Sequence, residues 1–342
     1  MTRRLVVDLA SSRPVWRIPD ASVAAIRAAL GEKWEVLRVA GPAVSDGDGA
    51  SGSAEAITAA RGAEIYLGFG APAGVVEAGR GTLRWVHSGA AGVRSVLKPL
   101  QGTGIVLTNS AGVHAEPMAD WVIAAIGYFA RGLDRAVRAQ AEVRVAQDDF
   151  TDLSVPVREF SELRVGIVGL GGIGTAVARR AVALDMTVAG VRRRPERGGP
   201  RGVSWVGGPD ALPRLAAESD CLIIAVPHTG ATAGMVDRRV LQRLPQDAVV
   251  VNVSRGSLLD EDALLDLLDT GRLRGAALDV FTVEPLPAGH PFWSHPRVLV
   301  SPHVSAVSRR FWERETALIV DNIRRYLGGA PLVNVVDLEA GY

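Results

Sequence analysis

Little in this sequence points toward a membrane, a metal or a nucleic acid. Cysteine is nearly absent: Cys221 stands alone in 342 residues. It cannot close an intramolecular disulfide, and one thiol is no metal site. It lies in "DCLIIAVP", which reads as a buried strand. No cluster of His, Cys, Asp and Glu has metal-ligand spacing, so no metal is expected. Charge of one sign is also missing. The 38 Lys and Arg stand against 37 Asp and Glu, a formal net charge of +1. No global field draws nucleic acid or an anionic membrane surface. The basic run at 192–201 alone favours nucleic acid, and the balanced charge weighs against that. No apolar run is long enough to span a bilayer. The first residues, "MTRRLVVDLASSRP", offer only a short apolar stretch interrupted by Asp8, which reads as a first strand and not as a signal peptide. A soluble, cytoplasmic protein is expected. Aromatics are scarce at 5%. Ala, Val, Leu and Gly dominate, as suits buried parallel strands covered by helices.

The chain is long enough for two domains of ordinary size. Up to about residue 110, short apolar runs alternate with amphipathic stretches: "RLVVDL", "DASVAAIRAAL", "WEVLRVA", "AEAITAAR", "EIYLGF", "AGVVEAG", "LRWVHS", "GVRSVLKPL" and "GIVLTNS". Such alternation implies right-handed βαβ units and a parallel sheet. The Gly-, Ser- and Asp-rich stretch at 41–53 reads as an exposed, mobile loop. The alternation restarts at Arg164 with "RVGIVGL", then "TVAGV", "VSWV", "DCLIIAVP", "AVVVNVSRG", "GAALDVF" and "RVLVSPH". Two sheets are the simplest account. Between them, "HAEPMADWVIAAIGYFARGLDRAVRAQAEV" has apolar residues at three- and four-residue steps and predicts a long helix that links the domains and flanks their cleft. The final "SRRFWERETALIVDNIRRYLGG" predicts a second amphipathic helix that crosses back to the first domain.

"RVGIVGLGGIGTAVARR" is the most informative stretch. Gly169, Leu170, Gly171, Gly172, Ile173 and Gly174 fit G-x-G-x-x-G after a strand and at the opening of a helix. In that context the first glycine permits the tight turn, and the second lets backbone N–H groups approach a pyrophosphate. The third lets helix and strand pack closely. The helix N-terminus then presents unpaired N–H groups and a positive dipole end to phosphate. About twenty residues on, where an acid would hold the ribose hydroxyls, "VRRRP" places Arg192 and Arg193, followed by Arg194. A carboxylate there would repel a 2′-phosphate, whereas guanidinium groups bind it with forked hydrogen bonds. NADP(H) is the expected cofactor, with NAD(H) possible.

Three further stretches carry reactive side chains. "VVVNVSRGSLLDEDAL" places Arg255 after a buried strand, "GAALDVFTVEPLP" places Asp279 at a strand end with Glu284 beyond it, and "RVLVSPHVSA" places His303 after another strand. Parallel sheets bind ligands outside the carboxyl ends of their strands.

With "GIVGLGGIG", "NVSRGSLLDEDAL", "ALDVFTVEPLP" and "SPH", the sequence resembles the D-isomer-specific 2-hydroxyacid dehydrogenases over nearly its whole length. The resemblance implies two Rossmann-like α/β domains with parallel sheets flanked by helices. A dinucleotide-binding domain at 113–303 would be inserted in a flavodoxin-like substrate domain at 1–112 and 304–342, in a homodimer. It also implies an active site of Arg255, Glu284 and His303. Arg255 would hold the carboxylate of a 2-oxo acid and polarise its ketone. His303 would supply the proton, and Glu284 would fix the imidazole tautomer and favour its protonated form. Asp279 matches the residue that holds the nicotinamide carboxamide. Val226, Pro227 and Val253 match positions beside the cofactor. In "HSGAAGV", Ala91 and Gly92 match backbone donors to the substrate carboxylate, although Arg94 stands where the family commonly has Asp.

The segments "VHSGAAGV" and "TNSAGVHAEPMADWV", with the arginine loop, resemble most the members that reduce glyoxylate and hydroxypyruvate. A larger 2-oxo acid is the alternative substrate. A dinucleotide-sensing corepressor of the same fold is the alternative from another class. Trp121 and Trp312 read as packing or interface residues, and His87, His114 and His228 receive no catalytic role.

Overall fold

The computed structural model describes residues 3–41, 52–93, 97–153, 155–339 and 341. Most of the 41–53 loop and Arg94 lie outside the described residues. The chain divides into two compact units, Met1–His114 with Val307–Tyr342, and Ala115–Ala306. No described helix is long and apolar enough to cross a membrane.

The first unit holds a five-stranded parallel sheet. Its strands are β1 (Arg3–Asp8), β2 (Trp34–Arg38), β3 (Ile65–Gly68), β4 (Trp85–Ser88) and β5 (Val106–Asn109), in the order β2-β1-β3-β4-β5. That is the flavodoxin-like order. The strands read as near-continuous apolar runs because both faces are covered. Successive side chains point to opposite faces. Val6, Tyr66, Val86 and Leu107 share one cluster with Ala56, Ala60 and Val75, which lie on α2 (Ala54–Ala60) and α3 (Ala73–Ala78). Leu5, Val7, Ile65, Leu67 and Trp85 share the other with Val23 and Ile26 of α1 (Asp20–Leu30) and Phe311, Ile319 and Ile323 of α11 (Phe311–Leu327). The C-terminal helix thus packs on the sheet formed by the N-terminal residues, as its amphipathic pattern predicts.

The second unit has seven parallel strands: β6 (Arg164–Val168), β7 (Thr187–Val191), β8 (Val203–Gly207), β9 (Cys221–Ile224), β10 (Ala248–Asn252), β11 (Leu273–Leu278) and β12 (Val298–Val300). Their order is β12-β11-β10-β9-β6-β7-β8. It is the doubly wound dinucleotide-fold order with one added strand, and it reverses between β6 and β9. Every strand expected from the sequence is present.

One expectation needs correction. The stretch predicted as a single linking helix is two, α4 (Ala115–Ala130) and α5 (Leu133–Ala141). Gly132 stands between them in the left-handed region, at φ +66°. A Cβ there would lie 2.7 Å from Phe150 and 2.9 Å from Val155, so the break is tightly packed. The apolar spacing runs across it because both helices bury a face, which hid the break. Beyond it, Asp134 makes a buried forked ion pair with Arg274 of β11, at 2.5 and 2.8 Å.

Candidate active site

The glycine turn joins β6 to α7 (Gly172–Ala183), with Gly171 as the helix N-cap. Each glycine has a different steric reason. Gly169 has φ +102°, and a Cβ on it would lie 2.6 Å from both the Ala225 carbonyl oxygen and Val226 Cγ1. A Cβ on Gly174 would lie 1.9 Å from the Gly169 carbonyl oxygen. A Cβ on Gly171 would meet nothing within 4 Å. Two glycines are therefore demanded by packing, and the middle one borders open space in front of a helix N-terminus. That is the cradle a pyrophosphate needs. Leu170 and Val253 are buried in the core of this unit, with Ile173 packed against that core. Val226 is half-buried and Pro227 exposed.

Arg192 follows β7 directly. Its N–H donates to the Gly207 carbonyl at 3.0 Å, and its Nη1 to the Gly198 carbonyl at 2.8 Å. The side chain is half-buried, while Arg193 and Arg194 are exposed. The loop that would read the ribose thus carries guanidinium groups and no acid.

The reactive residues come from three adjacent strands. Arg255 follows β10, Asp279 follows β11 and His303 follows β12. Neighbouring strands lie about 4.8 Å apart, so sheet order alone gathers their carboxyl ends. Buried Asn252 braces the Arg255 turn: its Nδ2 donates to the Arg255 carbonyl at 2.9 Å, and its Oδ1 accepts from Ser254 N–H at 3.0 Å. A Cβ on Gly256 would lie 1.9 Å from the Phe281 carbonyl carbon. The Arg255 turn is thereby pressed against the loop that carries Glu284. Arg255 itself is exposed, with Nη1 donating to the Ser254 carbonyl at 2.6 Å.

Glu284 and His303 meet. Glu284 Oε2 lies 2.7 Å from His303 Nδ1, and Oε1 accepts the Phe281 N–H at 3.0 Å. The side chains are 33% and 45% exposed, so the pair is reachable from solvent. With Nδ1–H on the carboxylate, Nε2 is left as the reactive nitrogen. His303 has φ +54°, in the left-handed region. A non-glycine residue is rarely held there without surrounding support. Its N–H donates to the Asp279 carbonyl at 2.9 Å. The fully buried Asp279 carboxylate accepts from Ser301 Oγ at 2.5 Å, Val304 N–H at 2.8 Å and Ser305 N–H at 2.9 Å. Asp279 therefore knots the turn around His303, a duty the sequence reading missed. Glu261 was missed too: its Oε1 accepts the Thr282 N–H at 2.8 Å and steadies the Glu284 loop. An acid in the first turn of the "DEDAL" helix was the one visible signal.

In the first unit, the turn after β4 carries Ala91 and Gly92, both exposed. Asn109 Nδ2 donates to the Ala91 carbonyl at 2.8 Å, and Ser110 N–H to the Ala90 carbonyl at 3.4 Å. The carbonyls are turned toward β5, and the N–H groups of Ala91 and Gly92 have no partner among the described residues. Trp312 is buried with its indole N–H on the Val15 carbonyl at 3.1 Å, and Trp121 packs on the second unit's core. His114 stacks on Phe311, with centroids 5.1 Å apart. Burial pushes the Cys221 thiol up to about 12, so it is inert at neutral pH.

Comparison with known proteins gives the family and the fold. Residues 124–305 match the model of the D-isomer specific 2-hydroxyacid dehydrogenase NAD-binding domain. The glyoxylate/hydroxypyruvate reductase A of Yersinia enterocolitica is 31% identical over 275 residues, 78% of this chain and 83% of that protein. A D-isomer specific 2-hydroxyacid dehydrogenase from Xanthobacter autotrophicus Py2, solved with NADPH and MES, superposes with a TM-score of 0.79 at 30% identity, covering 100% of both chains. An NADPH-dependent glyoxylate/hydroxypyruvate reductase from Sinorhizobium meliloti, solved with NADP and sulfate, gives 0.76 at 26% identity over 99% of this chain and 100% of that one. On these matches the chain belongs to the D-isomer specific 2-hydroxyacid dehydrogenase family.

Proposed function

We propose that this protein reduces a small 2-oxo acid of the glyoxylate or hydroxypyruvate kind to the D-2-hydroxy acid, preferring NADP(H) and accepting NAD(H) less well. The observation that carries the chemistry is the 2.7 Å contact of Glu284 with His303 at the carboxyl ends of strands adjacent to that of Arg255. The cofactor preference rests on arginines standing where an acid would exclude a 2′-phosphate.

The residues present fit a dinucleotide. The open space at Gly171 and the first-turn N–H groups of α7 would hold the pyrophosphate. Arg192 and Arg193 would hold the 2′-phosphate, and Val226, Pro227, Val253 and Asp279 would border the rest. When bound there, the nicotinamide would supply the hydride. Arg255 holds the substrate carboxylate with forked donors and polarises the ketone oxygen. In the first unit, the N–H groups of Ala91 and Gly92, without a partner among the described residues, are the proposed substrate donors. His303 Nε2–H gives its proton to the oxygen as negative charge builds there. Glu284 engages the second ring nitrogen and fixes the orientation of the imidazole. Asp279, Ser301 and Glu261 hold these groups in place.

In this reading residues 1–112 and 304–342 serve as the substrate domain and 113–303 as the dinucleotide-binding domain. The protein works as a cytoplasmic homodimer. Val143 and Val145, 95% and 88% exposed after α5, offer apolar surface for a second copy. The test is NADPH oxidation with hydroxypyruvate and glyoxylate, followed by chiral analysis of the glycerate formed. D-Glycerate is the expected product. L-Glycerate, or turnover only with a larger 2-oxo acid, would overturn the substrate assignment. NADPH binding without turnover on any 2-oxo acid would favour a sensor.

A further inference from the structure

Unit 1 buries a titratable pair that the reaction does not use. His87 and Glu315 both have fully buried side chains, and His87 Nε2 lies 2.8 Å from Glu315 Oε1. They come from β4 and α11, 228 residues apart. The direction of the hydrogen bonds can be read from the donors. Trp85 Nε1 can only donate, and it does so to Thr108 Oγ1 at 2.8 Å. The Thr108 hydroxyl proton is then free for His87 Nδ1, 2.9 Å away. The ring hydrogen is left on Nε2 and points at Glu315. Opposite His87, Ser110 Oγ lies 2.9 Å from Glu315 Oε1 and 2.9 Å from the Ser88 carbonyl oxygen. The other carboxylate oxygen, Oε2, is buried without a partner among the described residues.

Docking α11 does not require this. Phe311, Trp312, Ile319 and Ile323 already bury its apolar face in the core. A buried carboxylate is a cost that packed hydrophobic side chains would avoid. What the carboxylate adds is direction, because it fixes the Ser110 hydroxyl. With its one hydroxyl proton on Glu315, Ser110 holds the turn through its N–H, which donates to the Ala90 carbonyl at 3.4 Å. The turn that exposes the Ala91 and Gly92 N–H groups is thus tied to α11 through one serine and one carboxylate oxygen.

We infer that Glu315, oriented by His87, is a positioning residue for the substrate-carboxylate turn at 88–92, acting through Ser110. The inference rests on the proposed reading of Ala91 and Gly92 as substrate donors. It places Glu315 in no contact with substrate or cofactor.

The experiment compares the full-length protein with Glu315→Ala, Glu315→Gln and Ser110→Ala. Two readouts are taken: steady-state kinetics with hydroxypyruvate and NADPH, and amide exchange of the peptide spanning 86–93. Glu315→Ala raises KM for hydroxypyruvate about tenfold, as for one lost buried hydrogen bond, while KM for NADPH and kcat stay near those of the parent. Exchange at Gly89, whose N–H donates to the Gly68 carbonyl at 2.7 Å, quickens without loosening β1 or β3. Ser110→Ala, a smaller change that leaves His87 and Glu315 paired, gives the same pattern. Glu315→Gln restores both readouts, because its carbonyl oxygen accepts at the Oε1 position. Unchanged substrate KM and unchanged exchange in the two alanine variants would overturn the inference, and so would an equal decline of all kinetic constants. If the parent protein turns over no 2-oxo acid, the proposed function fails. The exchange readout still decides whether Glu315 holds the turn.

Discussion

Glu284 reaches two partners with one carboxylate: Oε2 lies 2.7 Å from His303 Nδ1, and Oε1 accepts the Phe281 N–H at 3.0 Å. The second bond fixes where the first can point. A carboxylate so anchored orients the imidazole and does not simply neutralise it. His303→Ala is expected to lower kcat by roughly 10²–10⁴-fold, the span of a lost general acid. NADPH affinity, read by fluorescence titration, stays near the parent's. Glu284→Gln keeps an acceptor for Phe281 and lowers kcat less. Loss of NADPH binding in the His303 variant would mean that the residue serves the fold.

Gly256 and Gly174 are predicted to be irreplaceable for different reasons. In Gly256→Ala the new methyl meets the Phe281 carbonyl carbon at 1.9 Å, and backbone must move. The Glu284 loop shifts, so kcat falls while NADPH still binds. In Gly174→Ala the methyl meets the Gly169 carbonyl oxygen at 1.9 Å, and α7 is pushed off the turn. NADPH binding is lost there first. Each overpacking costs about 1–3 kcal/mol of stability, seen as a lower Tm. An intact NADPH site in Gly174→Ala would contradict the turn's role.

The arginine loop makes a separable prediction. Changing Arg192 and Arg193 together to serine removes the forked donors to a 2′-phosphate. KM for NADPH should rise by roughly 10- to 100-fold, as for lost charge-assisted bonds, and KM for NADH should change little. Arg192 also holds the Gly198 carbonyl. Arg193→Ser alone, which leaves that bond in place, therefore gives the cleaner though smaller effect. Equal rises for both cofactors would remove the assignment.

Acid sensitivity is expected where β1, β3 and α11 are tied together. Glu64 accepts from Arg3 at 2.5 and 2.8 Å and from the Tyr326 hydroxyl at 2.7 Å. Its carboxyl is held below the usual range, chiefly by the Arg3 hydrogen bonds, and the Tyr326 phenol is pushed up to about 12 by burial and by Glu64. A depressed carboxyl contributes stability that is complete above its unfolded value, about 4.3, and is lost as pH falls through the lower folded value. Glu64→Gln should lower Tm at pH 7 by about 2 °C, the scale of a partly exposed ion pair. The difference should shrink as pH falls below about 4.3 toward the lower folded value. A gap that does not shrink on acidification would point to packing instead.

Much of this was legible in the sequence. The strands announced themselves as apolar runs between turn residues, and the parallel order followed from their alternation with helices. The glycine turn was readable because steric demands leave no choice of residue at Gly169 and Gly174. Arg255, Asp279 and His303 were readable because each stands just past a strand. The break at Gly132 was hidden, since a single glycine in a helical pattern is tolerated and the apolar period continues through it. The partners of buried polar groups were also hidden. Nothing in "WVHS" names Glu315, and nothing in "GAALDVF" says that Asp279 holds the Ser301 and Ser305 turn. Such pairs are made by packing between distant segments, and one sequence carries no record of them.

The most direct test is the ratio of kcat/KM for NADPH to that for NADH, measured with hydroxypyruvate at saturation on the parent protein. Reduction with both cofactors and a ratio well above one, abolished in His303→Ala, is the predicted result. A ratio at or below one would contradict the reading of Arg192 and Arg193, and turnover that survives His303→Ala would contradict the assigned acid.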